Sequence, residues 1–247
     1  MKIAVLSDIH SNLEALLACL AHARRQGAEQ YAFLGDLLGY GADPLACIEV
    51  IAPMVGDGAV AVLGNHEEAI LGGLCESMEP FAREAVYWTR KQLRQPERDF
   101  IRALPMTESR GNAFYVHASA ASPGRWTYID NAVAAAKCMD ASGAPLTFAG
   151  HVHHQCLYYT SGHGAAQVFN PVIGAAIPVS THRRWLAIAG SVGQPRDGNT
   201  AAAYLLHDQQ RESLTFFRVP YDYMSAARKI RAAGLPERLA HRLETGN

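Results

Sequence analysis

Short apolar runs, each stopped by a polar or small residue, punctuate the early part of the chain. Residues 2–6 (KIAVL) end at Ser7-Asp8, 31–34 (YAFL) at Gly35-Asp36 and 59–63 (AVAVL) at Gly64-Asn65. Residues 113–116 (AFYV) end at His117 and 146–149 (LTFA) at Gly150-His151. Runs this short, bounded by turn formers, predict buried strands. Helical patterns lie between them. Ser11 and Glu14 have the spacing of a capping box, and Leu13, Leu16, Leu17 and Leu20 then mark one apolar face. Asp43-Pro44 predicts a second helix start, with Asp as the cap and Pro in the first turn. Residues 81–93 and 131–140 predict two more helices. Alternating strand and helix predicts an α/β fold with parallel strands early in the chain.

After residue 155 the texture becomes β-rich. Segments 155–160, 165–169 and 185–189 read as strands, and 201–206 with 213–219 as a hairpin around the polar turn 207–211. The chain closes with a helix over 223–233, Gly234 just past its end, and Pro236 opening a last short helix. No repeat, low-complexity tract or Pro/Ser-rich linker interrupts the chain. One domain over 1–247 is expected, with the late strands forming a second sheet packed on the first.

Composition narrows the chemistry. With 247 residues, 49% hydrophobic and 18% charged, the chain can bury a core. Twenty-two basic residues against 23 acidic ones leave a net charge of −1. That balance gives no electrostatic footprint for polymeric nucleic acid or a membrane surface. The five cysteines, Cys19, Cys47, Cys75, Cys138 and Cys156, form no Cys-x-x-Cys pair, which argues against a thiolate zinc site or a disulfide framework. The apolar run in MKIAVLSDIH is too short for a signal-peptide core, and no stretch reaches the ~18 apolar residues of a membrane span. A soluble, cytoplasmic protein is expected. One count stands out: eleven histidines against five cysteines and four lysines.

The five early strands all end in a side chain able to bind metal: Asp8, Asp36, Asn65, His117 and His151. Sites in α/β sheets form at the carboxyl ends of strands. Asp8/His10 and His151/His153 are spaced i, i+2, so an extended segment would turn both members of each pair to one side. Seven donors exceed the needs of one ion and fit a pair sharing a bridging Asp. Two divalent cations against two carboxylates leave positive charge, which suits phosphate and its transition state.

Asp8-x-His10, Gly35-Asp36, Gly64-Asn65-His66-Glu67, His117 and Gly150-His151-x-His153 resemble the calcineurin-like metallophosphoesterases. The chain is further similar to small bacterial predicted phosphodiesterases through Ser11–Leu16 (SNLEAL), 35–41 (GDLLGYG), 190–197 (GSVGQPRD) and Gly234-Leu235-Pro236. The resemblance implies a four-layer αββα sandwich of two mixed β-sheets flanked by helices. It implies one metal on Asp8, His10, Asp36 and His153 and another on Asp36, Asn65, His117 and His151. Such oxygen and nitrogen donors suit Mn, Fe, Zn or Ni. The implied reaction is hydrolysis of a phosphodiester or nucleotide phosphate by a metal-bound hydroxide, with His66 stabilising the transition state or protonating the leaving oxygen.

Two departures from relatives matter. Where protein phosphatases carry an Asp and an Arg that orient the histidine and grip phosphate, this chain has Gly39 and Tyr40. The partner of His66 is therefore open, and phosphoprotein specificity is disfavoured. Ile188-Ala189 replaces an Asn-Pro before Gly190, a change expected to alter loop shape only. Substrate contacts are expected from Arg125, Trp126 and Tyr128 in the loop after His117, and from Arg196, which competes with an ion pair to Asp197. His154 is a candidate for the site entrance. His22, His163, His182, His207 and His241 read as solvated or capping. Gly190-Ser191-Val192-Gly193 lacks nucleophile-elbow spacing, and Gly39-x-Gly41 is not a dinucleotide fingerprint. The expected partner is a small phosphorylated molecule such as a nucleotide. The alternatives are a phosphomonoesterase, a mononuclear metal site, and a weakly catalytic protein-interaction scaffold on the same fold.

Overall fold

The computed structural model describes residues 1–73, 78–161 and 165–247; Cys75 and His163 lie outside them. Twelve strands are present among the described residues. In chain order they are β1 (Lys2–Leu6), β2 (Gln30–Phe33), β3 (Val60–Ala61), β4 (Thr107–Arg110), β5 (Ala113–Val116) and β6 (Leu146–Ala149). There follow β7 (Gln155–Thr160), β8 (Gln167–Phe169), β9 (Ala176–Pro178), β10 (Arg184–Ala189), β11 (Ala202–Asp208) and β12 (Ser213–Val219). The helices are α1 (Leu13–Arg25), α2 (Pro44–Gly56), α3 (Asn65–Ile70), α4 (Pro80–Gln92), α5 (Gln95–Arg102), α6 (Ala132–Ser142), α7 (Tyr223–Ala232) and α8 (Glu237–Thr245). None is long and apolar enough to cross a membrane.

The strands form two mixed six-stranded sheets, ordered β3-β2-β1-β11-β12-β9 and β4-β5-β6-β10-β7-β8. β1, β2 and β3 run parallel, as do β5, β6 and β10. The late strands do not make a sheet of their own, contrary to the sequence-based expectation. β11 pairs antiparallel with β1, while β10 pairs parallel with β6 and antiparallel with β7. Each early parallel set leaves an edge of unpaired backbone groups, and the late strands satisfy both edges.

Strand periodicity builds the layers. On β1, Ile3 and Val5 enter the core between the sheets with Phe148, Leu205 and Phe216, while Ala4 and Leu6 face α1 and α2. Both faces of β1 are covered, hence its unbroken apolar run. The second sheet packs its outer face on α6 through Cys138, Met139, Leu186 and Ile188. The result is two mixed sheets flanked by helices. A further cluster joins α4, α7 and α8 around Tyr40.

Local differences have local causes. Ser11 does not cap α1, because it sits at φ 52° in a loop. Asn12 caps instead, its Oδ1 accepting from Ala15 N at 3.1 Å, and Glu14 pairs with Lys229 at 2.6 Å. Asp43 precedes α2 but makes no capping bond; its carboxylate also goes to Lys229, at 2.8 Å. α5, β4 and β9 have no counterpart in the apolar pattern, since β4 (TESR) and β9 (AIP) are short and largely exposed. Pro236 stands at the cap of α8 rather than inside it.

Candidate metal centre and active site

The loops leaving β1, β2, β3, β5 and β6 converge at one end of the sandwich. Their backbone is far from extended. Asp8, His10, Asp36, His151 and His153 all have positive φ, between 49° and 67°. The two i, i+2 pairs are therefore not extended: Asp8 and His10 still come within 3.8 Å of one another, whereas His151 and His153 go to different donor groups. Left-handed backbone costs about 1–2 kcal/mol per non-glycine residue, so surrounding bonds must hold it. His10 N donates to Asp36 O (2.9 Å), Ser11 N to Leu37 O (3.0 Å) and Gly193 N to Asp8 O (2.9 Å).

The ring nitrogens are sorted by backbone carbonyls. His10 Nδ1 faces Leu38 O (3.2 Å), His117 Nδ1 faces Leu34 O (2.7 Å) and His153 Nδ1 faces Gln194 O (2.6 Å). His151 Nε2 faces Trp126 O at 2.9 Å. A carbonyl only accepts, so each of these nitrogens carries a proton and donates it. The other nitrogen of each ring turns inward. His10 Nε2 lies 3.2 Å from His153 Nε2, and His117 Nε2 lies 3.1 Å from both His151 Nδ1 and Asn65 Oδ1. Two lone pairs this close repel unless a cation or proton sits between them. Carbonyls that hold the far nitrogen in this way are the usual orienters of metal-binding imidazoles.

The carboxylates complete two groups. Asp8 Oδ1 is 3.2 Å from His153 Nε2 and has no hydrogen-bond partner although fully buried. Asp36 Oδ2 is central: 3.4 Å from His117 Nε2, 3.8 Å from His10 Nε2 and 4.0 Å from His66 Nε2. Asp8, His10 and His153 can hold one ion and Asp36, His117 and His151 another, and His10, Asp36 and His66 form a third, overlapping group of donors. The buried, unpartnered oxygen and the facing lone pairs fit divalent metal.

Electrostatics agree. Burial works against the charge of Asp36, yet His117 and His66 hold its carboxyl well below the ordinary range. Asp8 is likewise lowered, burial being outweighed chiefly by His153. Burial depresses His10 and His153, and with the neighbouring His117 takes His151 down to about 3. His117 goes the other way: burial opposes its charge, but Asp36 lifts it to about 9. Without metal it keeps a proton that metal binding must displace.

His66 lies in the first turn of α3, and burial pushes it down to about 4. Its Nδ1 has no partner, and its ring meets the Tyr40 ring edge-on at 4.4 Å between centroids. The backbone at Gly39 packs directly against the His66 ring. A Cβ on Gly39 would stand 2.3 Å from His66 Nδ1. Close approach of a glycine and an aromatic wall fix the ring here. Glu67, for which the sequence pattern suggests no role, is fully buried and accepts from Asp36 N (2.8 Å), Leu38 N (2.9 Å) and Gly64 N (3.0 Å). Burial lifts its carboxyl to about 8. Its position three residues into a helix start was the available signal. Segment 190–194 is a second support that the sequence does not reveal: Ser191 Oγ donates to Asp8 O (2.8 Å) and Gln194 O holds His153.

The expected substrate residues divide. Arg125, Trp126, Tyr128 and Arg196 all line an open cleft beside the cluster. Trp126 Nε1 donates to Glu68 (2.7 Å), and Tyr128 stacks on His151 at 4.2 Å and 19°. Both thus brace the wall as well as line it. Arg196 does not pair with Asp197, which is taken by Arg218. His154 is not among the cleft residues. His22 and His207 are not simply solvated: His22 bonds Tyr204 (2.7 Å), and His207 is buried in β11. His182 and His241 are exposed.

Known proteins are similar in sequence and fold. The calcineurin-like phosphoesterase family pattern matches residues 1–155. The chain is 34% identical to the uncharacterized protein MJ0912 of Methanocaldococcus jannaschii, covering 99% of this chain and 98% of that one. It is similar to the crystal structure of a metallophosphoesterase from Sphaerobacter thermophilus, with 36% identity, TM-score 0.86 and 100% of each chain covered. A hypothetical protein, PH1004, from Pyrococcus horikoshii shares the fold at 18% identity and TM-score 0.78, over 100% of this chain and 98% of that one. The chain, which carries a metal-capable His/Asp cluster, belongs to the calcineurin-like phosphoesterase family.

Proposed function

We propose that this chain is a two-metal phosphodiesterase acting on a small phosphodiester or nucleotide. The observation that carries the reading is the pair of inward-facing nitrogen contacts flanking Asp36, His10–His153 on one side and His117–His151 on the other. Two divalent ions held there would polarise the phosphoryl oxygens and supply a deprotonated water at neutral pH. Mn, Fe, Zn and Ni all suit the donor set.

The chain's own residues do the rest. Asp36 lies between the two donor groups and joins them. Asn65 offers a neutral oxygen, which keeps the site's net charge positive toward phosphate. His66 turns Nε2 toward the cluster, while its Nδ1 has no acceptor. The proton is therefore best placed on Nε2, aimed at a phosphoryl or leaving oxygen. Tyr40 and Gly39 limit the ring's freedom, so little ordering is left for the transition state.

The test combines metal analysis with turnover. Purified protein should hold two ions per chain and hydrolyse bis(p-nitrophenyl) phosphate faster than p-nitrophenyl phosphate. His66→Ala should retain both ions and lose about 10²–10⁴ in kcat. One ion per chain, or faster turnover of the monoester, would overturn the reading.

A further inference from the structure

Arg242 carries no motif in the sequence, yet α8 brings it to the active-site cleft. It meets Arg196 there. Arg196 Nη2 donates to Gln194 Oε1 at 3.1 Å, and Arg242 Nη1 donates to the same oxygen at 3.2 Å. Two guanidinium groups thus share one neutral acceptor. Neither is paired with a carboxylate among the described residues. Nearby acids are engaged elsewhere: Asp197 by Arg218, and Glu237 and Glu244 by Arg231. Glu79 lies on the same cleft wall without forming an ion pair to either.

Like charges brought together and partly desolvated are unfavourable unless an anion joins them. The structure also leaves donors unused. Arg196 Nε and Gln194 Nε2 are buried with no partner. The aromatic floor is in place: Arg196 lies over Tyr40 at 5.8 Å, and Arg242 over Phe81 at 4.8 Å. The link to the metal cluster is short. Tyr40 packs on both His10 and His66 at 4.4 Å, and Gln194, which holds the two arginines by its side chain, holds His153 by its backbone.

We infer that Arg196 and Arg242, on the Gln194–Tyr40–Phe81 platform, form a second anion subsite that binds a non-reacting phosphate of the substrate. The inference rests on the phosphoester reading of the metal cluster. It narrows the substrate class to phosphoesters bearing two phosphates, only one of which reaches the metals. Guanidinium forks suit a phosphate dianion better than a neutral sugar or base.

The experiment uses metal-loaded protein and two chromogenic esters with the same reacting group. One is the p-nitrophenyl ester of thymidine 5′-phosphate; the other carries an added 3′-phosphate. The wild type should prefer the doubly phosphorylated ester. In Arg242→Gln, which removes the guanidinium and its charge but leaves a polar side chain, the kcat/KM ratio between the two esters should fall about tenfold through KM, equivalent to about 1.4 kcal/mol. An unchanged ratio, whether both esters lose equally or neither does, overturns the subsite. If the wild type turns over neither ester with Mn, Fe, Zn or Ni, the phosphoester reading fails by itself. Binding then reads the subsite: adenosine 3′,5′-bisphosphate should bind wild type about tenfold tighter than adenosine 5′-phosphate, and Arg242→Gln should erase the difference. Equal affinity of wild type for the two nucleotides overturns it.

Discussion

The two ends of the parallel strands are built to different rules. At the carboxyl ends, glycines make room. A Cβ on Gly64 would stand 2.2 Å from Asp36 N, and one on Gly150 1.8 Å from Ser7 Oγ. At the amino ends, Gly111 turns the β4–β5 hairpin at φ +58°, and a methyl added there would meet nothing within 4 Å. Buried polar atoms without partners also concentrate at the first end, at Asp8 Oδ1, His66 Nδ1 and Arg196 Nε. Such groups are costly, and they mark where a fold is shaped for a ligand rather than for its own stability.

The largest effect should come from the centre of the carboxyl end. Asp36→Asn keeps the shape, and its remaining oxygen can still accept from His66 N, as Oδ1 now does at 2.9 Å. It removes the charge facing His10, His66 and His117. Metal content should fall below that of wild type, and kcat/KM should drop about 10³-fold or more. Elemental analysis and diester hydrolysis check this. Full metal content with full turnover would remove Asp36 from its central position.

The glycines test the comparison directly. Gly64→Ala forces a methyl into Asp36 and Glu67 and should cost about 3 kcal/mol, with activity lost. Gly111→Ala meets no atom and should cost only the left-handed backbone penalty, about 1–2 kcal/mol, with activity kept. Denaturant titration and diester hydrolysis read both. Equal outcomes in stability and activity would break the distinction between the two ends.

Much of the carboxyl end was legible because its donors are ordinary residues at predictable strand ends. Asp8, Asp36, Asn65, His117 and His151 each follow an apolar run, and folding brings them together. How they meet was not legible, since left-handed backbone at five ligands leaves no mark on hydropathy. Nor was sheet membership: β10 and β11 have similar apolar runs, and only the open edges of β6 and β1 decide which sheet each joins. Arg242 escaped for a related reason. It sits on the polar side of an amphipathic helix, where an arginine reads as solvated, and only tertiary packing carries it to Gln194. Glu67 was visible as a residue but not as the acceptor for three backbone donors.

His207, on the amino-end side, is a titrating group that belongs to stability and not to chemistry. His207 is buried beside Phe148 with Nδ1 unpartnered, and burial lowers it to about 4, against a partial pull from Asp208. Its folded value lies below its unfolded 6.5, so the unfolded chain takes up the proton first. Stability is fully present above 6.5 and falls as pH drops toward 4, by about 3 kcal/mol. His207→Leu should flatten that part of the stability profile in metal-free protein. An unchanged slope would assign the acid sensitivity to the ligand histidines of the other end.

The smallest effect has the opposite sign. Gly56 ends α2 on the amino-end side, is exposed, has no positive φ, and has nothing within 4 Å of a Cβ position. Nothing there requires glycine. In a helix, glycine loses more backbone entropy on folding than alanine, a difference of about 0.5–1 kcal/mol in a helix interior. At the last helical position the lower end applies, so Gly56→Ala should stabilise by about 0.5 kcal/mol. The midpoint of urea unfolding should rise with an unchanged m-value, and diester turnover should match wild type. Loss of stability would show that even the open glycines of this rim answer to packing. The contrast between the ends would then rest on the buried polar atoms alone.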